Sequence, residues 1–391
     1  MTVTIGLKQH IGNPATPIVA QNDRVARGQL IGVCDNLGAN IHASCVGRVI
    51  EICQKFIKIE MDEEQFEDFV KIKQTDNYLE SVREAGIVGC GGAGFPAHVK
   101  FATNLDGGVF ILNAAECEPI FAHNLRVLED APELILRGMG YAMEMTNART
   151  AYIALKPKHT KALAAINAAL PHFPKIEIRH LPDIYPAGDE RVIIREILGI
   201  TLPPGGLPKD AGAIVSNVET IKRVAEAIEL GKPVITKDFT IAGRLTNAQT
   251  GRVFLDAPIG LPIKNFIDQC GGYIHPAGEI VLGGAFTGIR GNENSPITKT
   301  IGGIFVAMPL PDDTRDFAIL ACECGADEAR LREIVGDMGG KIISADKCKR
   351  MTEINGRWRC DEPGKCPGQA EKILAAKKQG ANAVMLGFCE D

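Results

Sequence analysis

No apolar run in the 391 residues approaches the roughly 18 needed to span a bilayer, so no transmembrane helix is expected. The opening MTVTIGLKQ lacks an apolar h-region, so no secretion signal is expected either. Neither sign of charge dominates. The 43 Lys and Arg against 48 Asp and Glu leave a net charge of −5, which removes the basic footprint of a nucleic-acid binder. Aromatic residues are only 5% of the chain and Trp358 is the single tryptophan, so broad stacking surfaces are excluded. The eight histidines show no metal-ligand spacing, and no C-x2-C-x2-C-x3-C-P run of the ferredoxin type occurs. A cytoplasmic globular protein is the expectation.

Cysteine and glycine are plentiful, at 12 and 42 residues. In a reducing compartment so many thiols point to metal, redox or catalytic work rather than stapling. Glycine at this level favours tight turns and close backbone approach.

Four segments differ in pattern. Residues 1–62 carry short apolar runs (PIVA, QLIGV, GRVIEI, FIKIEM) between turn signals, which predicts a small barrel-sandwich of the lipoyl type. The hairpin tip of such carriers bears a lysine; here the local residues are His42, Ala43 and Ser44, so a carrier role is not expected. Residues 63–232 alternate helix and strand patterns, predicting a mostly parallel sheet with helices on both faces. Residues 233–311 return to strands with one short helix near 263–269, a β-grasp-like unit. Residues 312–391 read βαβαβ, with an insert carrying Cys360 and Cys366. There Cys322 and Cys324, then Cys348, then Cys389 follow or end the strands. In a parallel sheet those ends share one edge, so these cysteines are expected to converge.

Four motifs carry chemistry in the second segment. GCGGAGFP (89–96) contains G-x-G-x-x-G but follows a helix, so it is not a dinucleotide fingerprint. Its bare N–H groups and the helix start after Pro96 still suit a phosphate, with Lys100 as a point charge in reach. NAAECEP (113–119) closes a buried strand, where ligands of parallel sheets sit, and two acids beside a cysteine are poor core material. YPAGDE (185–190) lies at another strand-to-helix junction, where Asp189 caps the helix. SNVET (216–220) places Asn217 and Thr220 at a third.

In this order the motifs resemble those of the RnfC proteins of Rnf complexes and of the flavin-binding component of respiratory NADH dehydrogenase. The family pattern GxGGAGFP, NAxExEP, GGE/GEE and NVET matches residues 89–96, 113–119, 188–190 and 217–220, and the LKQHIG, GQLIG, HASCVG and FTIAGRL segments also look like RnfC. The resemblance covers about residues 1–310. It implies a non-covalent FMN. Gly89, Gly91, Gly92, Gly94 and Lys100 would hold its phosphate, and Asn113, Glu116, Asn217 and Thr220 would contact the flavin. Phe95, Glu118 and Glu190 would lie on the nicotinamide side. Ala115 and Cys117 depart from the dehydrogenase pattern, which has an acid and a glycine there.

The C-terminal motifs CECGADEAR, DKCKR, CPGQAEK and GFCED resemble those of the proline-reductase-associated electron-transfer proteins of amino-acid-fermenting anaerobes. That likeness implies electron flow from NADH or the membrane Rnf complex through FMN and the cysteines to D-proline reductase. Three readings of Cys322, Cys324, Cys348, Cys360, Cys366 and Cys389 stay open: a thiol–disulfide relay, a [2Fe–2S] cluster on Cys322, Cys324, Cys348 and Cys389, or structural zinc and buried thiols. In the first reading Cys322 and Cys324 would be acidified by the helix that follows them. Cys90 and Cys117 would fill small-residue slots, and Cys34, Cys45, Cys53 and Cys270 would pack in the interior. A non-flavin adaptor and a cobalamin-reductase-type flavoprotein are the rival functions.

Overall fold

The first strand, Thr2–Gly6, buries Val3 and Ile5 and pairs antiparallel with Phe56–Met61, setting Val3 opposite Ile59 and Ile5 opposite Ile57. That period-two burial is what the alternating sequence predicts. In this computed structural model, which describes residues 1–73 and 75–387, Gly47–Ile52 and Arg24–Val25 complete the sheet. A second sheet of Thr16–Pro17, Leu30–Val33 and Ile41–His42 shares its core. The same core runs on into Phe239, Ile241, Phe266 and Ile304, which are far away in sequence. The N-terminal unit and the β-grasp unit are therefore packed as one body of apolar side chains.

The segment expected to be a β-grasp-like unit forms a five-stranded mixed sheet, ordered Arg252–Pro258, Thr236–Gly243, Gly303–Val306, Ile280–Leu282 and Ile289–Gly291, with one helix, Ile263–Gln269. At the junction with its neighbours sits Lys299, which is fully buried. Its Nζ donates to the carbonyls of Asn40 and Gly86, each at 2.7 Å, and burial pushes its pKa down to about 7.

Between these units in sequence comes the parallel sheet Ile176–His180, Thr150–Leu155, Val109–Ala114, Ala213–Asn217. Its side chains alternate between two cores. Phe110 and Leu112 face the helices Pro132–Thr146 and Val218–Leu230; Ile111 and Val215 face Glu190–Leu198. Both faces are covered, as an all-parallel sheet requires. The sequence pattern does not predict one helix, His123–Asp130; it begins at a buried His123 without a side-chain cap, so it lacks the usual start signal.

The C-terminal unit is a three-stranded parallel sheet, Lys341–Lys347, Asp316–Ala321, Ala383–Gly387, with helices Glu328–Asp337 and Ala370–Lys378. The insert forms a hairpin, Met351–Ile354 with Arg357–Cys360. Trp358 on it is exposed and lies under the Lys347 ammonium, 4.6 Å from ring centre to Nζ. No helix among the described residues is long and apolar enough to cross a membrane.

Candidate functional site

The carboxyl ends of Val109–Ala114 and Ala213–Asn217 set the site. Their register pairs Asn113 with Asn217, so the second and fourth motifs meet on one sheet edge. Asn113 donates from Nδ2 to the Gly188 carbonyl at 3.0 Å and accepts the Ala115 N–H at 3.1 Å, which ties in the third motif. A Cβ on Gly188 would approach the Cys117 sulfur to 3.0 Å, so a larger residue would have to push that thiol aside. Asn217 caps the Val218–Leu230 helix by accepting the Glu219 N–H at 2.9 Å. The glycine loop closes over it: a Cβ on Gly91 would stand 3.1 Å from the Asn217 side chain. From the other side the N-terminal unit reaches in, with Ile11 N–H donating to the Gly94 carbonyl at 3.0 Å.

Within the loop Gly89 N–H and Gly94 N–H bond internally, while Gly91, Gly92 and Ala93 are exposed and their amides have no partner among the described residues. Gly92 stands at φ +128 with nothing within 4 Å of its Cβ position, an open cradle in a conformation that L side chains rarely adopt. The helix that follows, Ala97–Phe101, has five residues, so the amides of the loop rather than a long helix dipole are the anion-binding feature.

The structure gives several candidate residues partners within the protein. Thr220 is buried, and its Oγ1 accepts the Cys90 N–H at 3.0 Å, clamping the glycine loop to the helix. Lys100 is not a lone cation at the phosphate cradle; its Nζ donates to Glu190 Oε1 at 2.7 Å, two candidate residues joined as an ion pair. Glu118 has both oxygens occupied by the β-grasp unit, accepting the Phe286 N–H at 3.2 Å and the Thr287 hydroxyl at 2.8 Å. Phe95 is half-buried beside the loop, its carbonyl accepting the Gly89 N–H at 2.9 Å. Glu116, at φ +37, accepts from Asn124 Nδ2 at 2.6 Å, and its Oε2 is buried with no partner among the described residues. A buried acceptor without a donor is costly, so Glu116 is suited to a ligand N–H or hydroxyl.

Cys90 and Cys117 are placed as packing residues; burial pushes both thiols up, Cys90 to about 12. Cys34, Cys45 and Cys270 are buried, but Cys53 is only half-buried, at a hairpin where its sulfur accepts the Lys55 N–H.

The helix Glu190–Leu198 carries the site to the C-terminal cysteines. Asp189 caps it as expected, accepting the Arg191 N–H at 2.8 Å. Arg191, nearly buried, donates to the Cys360 carbonyl at 2.6 Å and to the Glu323 carboxylate at 2.8 Å. Tyr185 donates to the Cys324 carbonyl at 2.6 Å. Cys322 lies one residue past Ala321, beside Cys348 on the neighbouring parallel strand. Cys324 follows two residues on, and Cys360 is close enough to feel Cys322 and Cys348. Cys366 is exposed, with no thiol contact among the described residues, and Cys389 lies outside the described residues. The expected acidification does not occur at Cys322. Hydrogen bonding to Cys324 pushes its pKa up to about 11, and the next helix starts only at Glu328 with its N-terminus capped by Asp327. Burial pushes Cys360 up to about 11 as well. Among the described residues no group of three or more His, Cys, Asp or Glu has the geometry to hold a metal ion.

Sequence reasoning missed two features. Arg191 has the pattern of an ordinary helix residue. Arg223 is fully buried among the carboxylates of Glu219, Glu226, Asp238 and Asp256, which lock the Val218–Leu230 helix to the β-grasp strands and, against the opposing effect of burial, raise its pKa further. The dense charge of VETIKRVAEAIE was the available signal, but it reads equally well as a solvated face. A cavity of about 570 Å³ lined by Arg244, Glu279, Phe286, Phe305 and Arg330 among others includes no residue of the four motifs at 89–96, 113–119, 185–190 and 216–220.

Comparison with known proteins bears on this arrangement. Residues 82–226 match the Nuo51 FMN-binding domain, and residues 1–74 match the RnfC barrel sandwich hybrid domain. The chain is 34% identical to the C component of the proton-translocating ferredoxin:NAD(+) oxidoreductase complex of Clostridium ljungdahlii, over 77% of this chain and 70% of that protein. It is 38% identical to the cobalamin reductase PduS of Salmonella typhimurium over 59% of this chain, and spans only about half of that relative. A chain of NAD+-reducing [NiFe]-hydrogenase superposes with a TM-score of 0.51 at 22% identity, covering 60% of this chain and 47% of that one, which speaks for the fold alone.

Proposed function

The chain belongs to the RnfC family, and from that premise we propose that it is an electron-transfer flavoprotein whose FMN passes electrons to the C-terminal cysteines. The observation that carries the reading is the meeting of four motif loops on one sheet edge, inside the segment matching an FMN-binding domain.

The residues present fit FMN. Three exposed, unpartnered amides at Gly91, Gly92 and Ala93 suit a phosphate, and the partnerless buried oxygen of Glu116 suits a ring N–H or ribityl hydroxyl. When bound, FMN supplies the exchange between two-electron and one-electron transfer. Asn113 and Thr220 hold the loops rather than the ligand, and the Lys100–Glu190 pair borders the opening. The Glu190–Leu198 helix then joins this site to the cysteines through Arg191.

The donor in this reading is NADH or an Rnf complex, and the acceptor is a partner reductase, D-proline reductase by the resemblance of the C-terminal motifs. The likeness to PduS favours a cobalamin-reductase-type acceptor as the second reading. The visible spectrum of anaerobically purified protein tests the core of the proposal. Flavin absorbance that bleaches with NADH supports it; no chromophore after FMN is added leaves an adaptor. Oxidised D-proline reductase should then regain turnover with NADH plus this chain, and failure there removes that acceptor.

A further inference from the structure

We propose that Cys322 and Cys348 are a reversible dithiol–disulfide pair, with Cys348 the resolving thiol and Gln369 its positioning residue. The inference deepens the reading above and rests on it for the source of electrons.

Topology brings the pair together. Asp316–Ala321 and Lys341–Lys347 are adjacent parallel strands whose register ends at Ala321 opposite Lys347. Cys322 and Cys348 are the next residues on each, and the ladder continues to them, with Cys348 N–H donating to the Ala321 carbonyl at 2.9 Å. Adjacent strands lie about 4.8 Å apart, inside the window of roughly 4.4–6.8 Å between Cα atoms in disulfides. The two side chains therefore start as neighbours at the end of one in-register strand pair.

The two sulfurs are not equivalent. Cys322 is half-buried and accessible to a partner, whereas Cys348 is buried. Gln369 Nε2 donates to the Cys348 sulfur at 3.0 Å. Gln369 is itself 6% exposed, and its Oε1 is buried without a partner among the described residues, so a buried amide points at this sulfur. The neighbouring Cys322 thiol and burial raise the Cys348 pKa, and the Gln369 N–H aimed at its sulfur offsets part of that rise in favour of the thiolate that the second displacement requires. Cys360 packs nearby, but the Arg191 and Glu323 contacts pin its backbone.

Atoms and electrons balance across two displacements. The Cys322 sulfur attacks a disulfide on a partner protein, forming a mixed disulfide and releasing one partner thiol. The Cys348 sulfur then displaces the second, forming the Cys322–Cys348 bond. Two thiol protons and two electrons leave this chain and reappear as two partner thiols. Reopening the bond takes two electrons and two protons, which a reduced flavin supplies.

The test equilibrates the full chain in dithiothreitol buffers of graded potential, alkylates the free thiols and maps disulfides by peptide mass spectrometry. The expected result is one two-electron transition, with the bond between Cys322 and Cys348. Cys348→Ser should abolish it, Cys360→Ser should retain it, and Gln369→Leu should slow trapping by oxidised glutathione several-fold with the same bond mapped. Thiols that stay free throughout, a bond between any other pair, or stoichiometric iron or zinc bound to these sulfurs would overturn the proposal. Flavin absorbance of the same samples is read separately. Flavin without the disulfide defeats only the pair, and the disulfide without flavin defeats only the flavoprotein reading.

Discussion

The Tyr185 hydroxyl donates to the Cys324 carbonyl at 2.6 Å, joining residues 139 positions apart. One partner opens a motif of the parallel-sheet domain; the other follows the first strand of the cysteine domain. The Tyr185 ring also meets Phe286 edge-on, with centroids 4.7 Å apart, and the Phe286 N–H reaches Glu118. Three units thus meet at one tyrosine, and a change in any of them is felt next to the candidate flavin site.

Arg191 bears the main charge across that joint. Its side chain is 9% exposed and that of Glu323 is 16% exposed. Arg191→Met leaves the largely buried Glu323 carboxylate with Arg359 as its one cationic partner among the described residues, a loss on the order of 1–3 kcal/mol. The C-terminal 80 or so residues should then become protease-sensitive while the rest resists. Unchanged protection of both parts would show that the joint does not depend on this pair. Adding Glu323→Gln should recover part of the loss.

Thr220→Val removes the acceptor for the Cys90 N–H while keeping the shape of the side chain. Leaving that buried donor unpaired costs about 1–3 kcal/mol, and the glycine loop loses its anchor. Chemical denaturation should report the first effect, and FMN titration a several-fold weaker affinity. A variant equal to the parent in both would mean that the loop is held by other contacts.

Gly92→Glu places a carboxylate in the open cradle and forces an L residue to φ +128. The strain is on the order of 1–3 kcal/mol, so the chain should still fold, with an unchanged circular dichroism spectrum. Flavin content after reconstitution should fall to near zero, because a fixed negative charge displaces the phosphate. Full flavin content in this variant would move the phosphate elsewhere.

Acid stability follows from two buried imidazoles. Burial pushes His42 down to about 3 and His123 down to about 4, against an ordinary value of 6.5. Between pH 6.5 and 4 the unfolded chain binds the protons that the folded chain refuses, so stability is full above 6.5 and falls as the pH drops through that window. At 1.36 kcal/mol for each pH unit, the loss is about 3 kcal/mol per residue. Against the opposing effect of burial, Arg223 holds Asp256 and Asp238 below the usual carboxylate range, which extends the loss to lower pH. Thermal melts should show a steep decline from pH 6.5 to 4, and His42→Leu with His123→Gln should flatten it. A melting temperature independent of pH across that range would refute the assignment.

Much of this is legible in the residues themselves. Strand and helix periods, the Asp189 and Asn217 caps and the order of four motifs are local signals, and they place the site on the carboxyl edge of a parallel sheet because crossover topology leaves no other edge for them. The same logic puts Cys322 and Cys348 side by side. What only the tertiary structure decided is who satisfies whom. Thr220 holds Cys90 across 130 residues, Lys100 holds Glu190 across 90, and Glu118 holds a loop 168 residues away. Those pairings turned expected ligand contacts into struts, and thiol–thiol contact at Cys322 reversed the acidity that its place before a helix suggested. The type and period of a side chain act within a few residues, whereas desolvation and hydrogen-bond partnership depend on whatever distant segment packs against it.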